Sequence, residues 1–123
     1  MTINNNNILE IQNYPEYSVI RFSGFVDAAT IEHIKNIVNT KLPEQCRQII
    51  IDLEKTEFLD SHGVGFFVSL LKKVHSHKGR LIFSGAIDQP ASVLNMVGFN
   101  GSLVTYCDNI QKAVASLDKV KAG

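Results

Sequence analysis

Several things are missing from this 123-residue chain, and each absence removes a class of protein. Twelve Lys and Arg against twelve Asp and Glu leave no formal net charge. There is no basic surplus to drive nucleic-acid binding and no acidic tail. Cysteine is scarce: Cys46 and Cys107 stand far apart, outside any CxxC or Cys/His cluster. They read as two reduced thiols of a cytosolic protein, although sequence alone leaves a bond between them open. No apolar run approaches the roughly 20 residues of a membrane span. The first residues lack the basic and apolar regions of a secretory signal. These absences predict a cytoplasmic chain with neither a membrane nor a nucleic acid as partner. There is no P-loop, and Gly63-Val64-Gly65 alone is too little for a nucleotide fingerprint. His33, His62, His75 and His77 show no metal spacing beyond His75-x-His77, which with Lys78 suits a solvated helix end. No metal and no cofactor are expected.

What is present describes an ordinary globular protein, 45% hydrophobic and 20% charged, long enough for one domain with a proper core. No internal repeat or linker divides it. Residues 1–7 are Asn-rich and read as a flexible lead, residues 8–117 as the domain, and residues 118–123 as a mobile tail. Ile8–Gln12 and Tyr17–Phe22 are strand-like and are joined by the hairpin connection Asn13–Glu16. Gly24-Phe25-Val26-Asp27 closes the second strand. Asp27 or Thr30 then caps a helix carrying Ile31, Ile34, Ile37, Val38 and Leu42, which Pro43 stops. Gln48–Leu53 is a third strand whose Ile49-Ile50-Ile51 run suits a central position with both faces covered.

A polar connection after Leu53 leads to Asp60-Ser61, and from Ser61 the pattern turns helical through Val64, Phe67, Val68, Leu71 and Val74. Gly79 ends that helix. Leu81–Ser84 is a fourth strand, and Pro90 opens a short helix that Gly98 ends. Leu103–Tyr106 is a fifth strand, and Asn109 caps a last helix. The order β-β-α-β-α-β-α-β-α predicts an α/β fold: a four- to five-stranded, mostly parallel mixed sheet with about four helices. Phe25, Phe66 and Phe99 are apolar positions that fit either core or interface.

Ser61 is the position with most chemistry. A hydroxyl at a helix start lies where free backbone N–H groups gather, a place that tolerates a phosphate. The competing reading is a plain helix cap. Asp60 either serves as a cap or holds this turn, or it orients the hydroxyl during attack on a nucleotide phosphate. Gly63 and Gly65 either admit a partner backbone or let the helix start pack tightly. Asp27 ends another strand of the same sheet and is placed to share an edge with Ser61. The Ser61–His62 pair is no convincing hydrolase, because neighbours at a helix start point apart and G-x-S-x-G is absent. The chain is therefore not expected to be an enzyme.

Asp52-Leu53, then Phe58-Leu59-Asp60-Ser61-His62-Gly63-Val64-Gly65, resembles the signature of the STAS domain family, in particular the bacterial anti-sigma-factor antagonists. Gly24-Phe25-Val26-Asp27 is similar to the family's element after the second strand, and Leu94-x-x-x-Gly98-Phe99 to a later one. The resemblance spans about residues 8 to 117. It implies phosphorylation on Ser61 and a partner surface of Phe25, Asp27, Asp60, His62, Gly63, Val64 and Gly65. The implied partners are a serine kinase of ATPase-type fold that is also an anti-sigma factor, and a metal-dependent serine phosphatase. Two positions differ from the pattern: His62 stands where Ser or Thr is usual, and Phe25 where an acidic residue is. The alternative within the same fold is a constitutive binding module, such as a transporter accessory subunit or a scaffold component.

Overall fold

A computed structural model describes residues 8–99 and 104–117. The lead 1–7, the tail 118–123 and Leu103 of the expected fifth strand lie outside the described residues. The element order is β1 (Leu9–Asn13), β2 (Ser18–Val26), α1 (Ile31–Lys41), β3 (Gln48–Leu59), α2 (Ser61–Ser76), β4 (Arg80–Ser84), α3 (Asp88–Met96), β5 (Val104–Cys107) and α4 (Ile110–Ala115). The five strands form one sheet in sequence order. β1 is antiparallel to β2, and every later pair is parallel. This is the α/β mixed sheet that the pattern predicts.

The Ile49-Ile50-Ile51 run does what a central parallel strand requires. Successive side chains point to opposite faces. Ile49 and Ile51 join the large core with Ile20, Phe22, Ile34, Phe67, Leu81 and Phe83. Ile50 points the other way, into a small core with Val19, Ile82 and Ala113. The large core is closed by α1, α2 and Leu94 of α3, the small one by α4. Phe67 of α2 anchors the large core, its ring 5.5 Å from both Phe22 and Phe83. Truncating such a buried ring typically costs about 3–5 kcal/mol. Phe66 and Phe99 are buried in the core, whereas Phe25 stays 50% exposed. The cysteines are free, Cys46 buried and Cys107 half-buried.

Two expectations need correction. The stretch after Leu53 is not a loop: β3 runs on to Leu59, paired with the end of β2. Its charged residues Glu54, Lys55 and Glu57 are exposed, while Thr56 and Leu59 are buried. Two register shifts, between Arg21 and Ser23 and between Gly24 and Phe25, fit the longer strand to the shorter one. Gly24, at φ 78°, supplies the backbone that the second shift needs. Gly79, in turn, is not the left-handed residue that ends α2. That residue is Lys78, at φ 59°. Gly79 is needed for closeness instead, since a Cβ there would lie 1.6 Å from the Arg47 carbonyl oxygen. The Arg47 guanidinium donates to the carbonyls of His77 (3.1 Å) and Lys78 (2.9 Å), satisfying the helix end.

Candidate functional site

Parallel strands bring their C-terminal ends to one edge. Val26 at the end of β2 lies in register with Leu59 at the end of β3. The chain leaves β2 through Asp27 and β3 through Asp60-Ser61, so the expected shared edge is present.

The turn after β2 is built by Asp27 and Thr30 together. Asp27 Oδ1 accepts the N–H groups of Ala29 (3.0 Å) and Thr30 (3.2 Å). Thr30 is the cap position of α1, but its side chain serves the turn rather than the helix: Oγ1 accepts the Asp27 N–H at 3.1 Å and donates to the Phe25 carbonyl at 3.0 Å. At the other end, Leu42 is extended, as a residue before proline must be.

The start of α2 corrects the reading of Ser61 as a cap. Asp60 is the cap, extended at φ −116°, ψ −173°, and Ser61 is the first helical residue, with an exposed side chain. Asp60 Oδ1 accepts the N–H groups of His62 (2.8 Å) and Gly63 (3.1 Å), and the Asp60 carbonyl accepts that of Val64 (3.0 Å). Two of the donors expected to be free for a phosphate, the His62 and Gly63 N–H groups, are thus already taken. A carboxylate wins them because it adds charge to the hydrogen bond and sits at the positive end of the helix dipole. Asp60 Oδ2 reaches across to the Ala28 N–H at 3.0 Å and ties α2 to the turn after β2. Burial alone would raise the Asp60 carboxyl. The N–H groups of Gly63, Ala28 and His62, joined by the charge of the His62 ring, outweigh it and hold the group below the ordinary carboxylate value.

The remaining residues separate by exposure. His62 is exposed, with Nδ1 3.5 Å from Asp60 Oδ2, and among the described residues no hydrogen bond joins its ring to the Ser61 hydroxyl. Gly63 is buried. A Cβ there would meet Leu59 Cδ1 at 2.5 Å and the Val26 carbonyl oxygen at 2.7 Å, so this glycine lets the helix start sit on the strand ends. Val64 is half-buried against the core. Gly65 is exposed with nothing within 4 Å of where a Cβ would stand. Phe25 lies near the edge with its ring 5.3 Å from Phe58.

Sequence reasoning missed Gln89 of α3, whose side chain bonds the backbone of Leu59. Nothing in the local sequence marks it, because its partner lies 30 positions away. Among the described residues no group of His, Cys, Asp or Glu is arranged to hold a metal, and no helix is long and apolar enough to cross a membrane. A hollow of about 430 Å³ lies away from this edge, on the α4 side of the sheet. The Arg21–Asp52 pair lines it, closed at 3.2 Å.

Fold and edge together define a mixed α/β protein that presents an exposed strand-to-helix junction. The model of the STAS domain matches residues 9–116, and the chain belongs to that family. It is 22% identical over 90 residues to the anti-sigma-B factor antagonist of Staphylococcus aureus (strain NCTC 8325 / PS 47), covering 73% of this chain and 83% of that protein. It is 23% identical over 113 residues to the anti-sigma F factor antagonist of Paenibacillus polymyxa, covering 91% and 96%. The fold is shared with the Bacillus cell fate determinant SpoIIAA in the phosphorylated form, at a TM-score of 0.69 and 23% identity, covering 87% of this chain and 96% of that one.

Proposed function

We propose that this protein is a phosphorylation-controlled regulator of the anti-sigma-factor-antagonist type, switched at Ser61. Unmodified, it binds a serine kinase of ATPase-type fold that also acts as an anti-sigma factor. Phosphorylated, it lets that partner go. In the modification, Ser61 Oγ bonds to the γ-phosphorus of ATP, the bond to the bridging oxygen breaks, ADP leaves, and the hydroxyl proton passes to a base of the kinase. A metal-dependent phosphatase returns the free hydroxyl. The contact surface in this reading is Phe25, Asp27, Asp60, His62, Val64 and Gly65, with Gly63 setting the close packing of the turn beneath them.

The observation that carries the reading is that Ser61 is exposed and is not the cap of its helix. Asp60 does the structural work, so the serine hydroxyl has no structural duty there and is open to a kinase. The names of the relatives point the same way. A phosphate adds about −1.5 to −2 charge. Placed one residue from the Asp60 carboxylate, it turns a fitted contact into a repelling and poorly desolvated one. The test is phosphosite mapping by mass spectrometry on protein from its native cells, with a Ser61→Ala control. Phosphate on Ser61 that rises and falls with conditions supports the switch. An unmodified Ser61 under every condition would favour the constitutive binding module.

A further inference from the structure

β4 ends at Ser84, in register with Asp52, while β3 continues to Leu59. Over that last stretch β3 has no strand on its β4 side among the described residues, and α3 packs there instead. Gln89, the second residue of α3, is half-buried and turns its carboxamide onto the backbone of Leu59. Its Nε2 donates to the Leu59 carbonyl at 2.9 Å, and the Leu59 N–H donates to its Oε1 at 2.9 Å. A primary amide presents an N–H donor beside a carbonyl acceptor, as a residue of a neighbouring strand does with its own N–H and C=O. On the β2 side, the N–H of Asp60 donates to the Val26 carbonyl at 3.3 Å. The chain entering the junction is therefore held from both flanks, by a strand on one and by a single side chain on the other.

We infer that Gln89 is the positioning residue of the Asp60–Ser61 junction: its carboxamide stands in for a strand at Leu59 and fixes the direction in which Asp60 and Ser61 leave the sheet. The direction matters because Asp60 must meet three N–H groups at once, two on α2 and one on Ala28. A tilt at Leu59 moves the carboxylate off at least one of them and changes how Ser61 is presented. The consequence for modification rests on the function proposed above; the positioning does not. Few other side chains fill the role. Methionine matches the volume and makes neither bond. Asparagine is a methylene too short. An ionised glutamate sets an oxygen against the Leu59 carbonyl, but a protonated one regains the donor.

The test is amide hydrogen exchange by NMR on the full chain, with the Asp60 side-chain carboxyl carbon followed as a function of pH. Gln89→Met should speed exchange at Leu59 at least tenfold and at His62 and Gly63 severalfold. Ile50, Ile51 and Ile82 should keep their wild-type rates, and the Asp60 titration should move up towards the ordinary value. In Gln89→Glu the ionised carboxylate keeps an acceptor for the Leu59 N–H but sets an oxygen against the Leu59 carbonyl. Protection at Leu59, corrected for intrinsic rates, should therefore be lower at neutral pH than below about 4, where a glutamate protonates and regains the donor. Unchanged protection at Leu59 in both variants would overturn the inference. So would uniform acceleration that includes Ile50, Ile51 and Ile82, which would make Gln89 a general stability residue. Neither readout needs a kinase, so a failure of the Ser61 switch leaves this test standing, and a failure here leaves Ser61 to be decided by phosphosite mapping.

Discussion

Asp60 holds Ala28: one carboxylate oxygen accepts the Ala28 N–H at 3.0 Å while the other caps α2. One side chain thus ties together the two turns that follow β2 and β3. Removing it loses a helix cap and a tie between elements, whereas removing the neighbouring hydroxyl loses neither. Asp60→Ala should therefore cost about 1–2 kcal/mol, in the range of a lost N-cap. Ser61→Ala should stay within about 0.5 kcal/mol, as an exposed position without such a duty does. Urea unfolding of the two variants decides the matter. An equal cost would return the cap to Ser61.

The same carboxylate sets a pH dependence. Its folded-state pKa lies below the ordinary value, because three N–H groups and the His62 ring outweigh burial. The folded protein therefore binds this proton less tightly than the unfolded chain does. The stabilisation is complete above the unfolded value of about 3.9 and drains away as the pH falls through the lower folded value. Asparagine caps helices as well as aspartate does but does not titrate. The stability difference between wild type and Asp60→Asn should be flat from neutral pH down to about 5 and change only on further acidification. A change confined to the range near neutrality would assign the effect to another group.

The site glycines should respond in opposite directions. At Gly63 an added methyl would overlap Leu59 Cδ1 and the Val26 carbonyl oxygen, so Gly63→Ala forces α2 away from the strand ends. Overpacking of this kind costs about 1–3 kcal/mol. Gly65 is inside the helix with open space around it, so Gly65→Ala should stabilise by roughly 0.5–1 kcal/mol through backbone entropy. Thermal unfolding of both reads the signs. A destabilised Gly65→Ala would show that the first turns of α2 have no room for a methyl.

The contrast between the two glycines marks where sequence reading stops. The mixed sheet and the element order along the chain were legible because Ile49–Ile51 is apolar on both faces and because helical spacing follows every strand after the first hairpin. The caps of α2 and α4 were nearly so: Asn109 takes the Lys112 N–H at 2.9 Å, as expected, but at α2 the cap sits one residue earlier than Ser61. Either Asp or Ser serves as a cap, and only the three N–H groups within reach of Asp60 settle the choice. The tail of β3 was hidden for another reason. Glu54, Lys55 and Glu57 look like a loop until the matching end of β2 is beside them. Gly63 and Gly79 gave no hint of which backbone or side-chain atoms lie against them. Such contacts, like that of Gln89, join distant positions and leave no local pattern.

A phosphate placed on Ser61 should disturb little beyond the two turns that Asp60 ties together. Two effects oppose each other there. The helix dipole favours negative charge in the first turn, by about 0.3–1 kcal/mol. The Asp60 carboxylate next door repels it and already holds the His62 and Gly63 N–H groups. The near cancellation predicts a folded protein whose stability moves by less than about 1 kcal/mol, since surface changes of this kind are small. It also predicts where the change appears. As the phosphate competes for the first-turn donors, Asp60 loosens from them, and its link to Ala28 carries the disturbance to the turn after β2. In protein carrying phosphoserine at 61, amide NMR shifts should concentrate at Ala28, His62 and Gly63. They should be absent at Ile50, Ile82 and the far end of α2 near His75. Shifts spread through the sheet would mean that phosphorylation acts by reshaping the fold. A loss confined to partner binding, with shifts only at the edge, is what a charge added to a fixed surface produces.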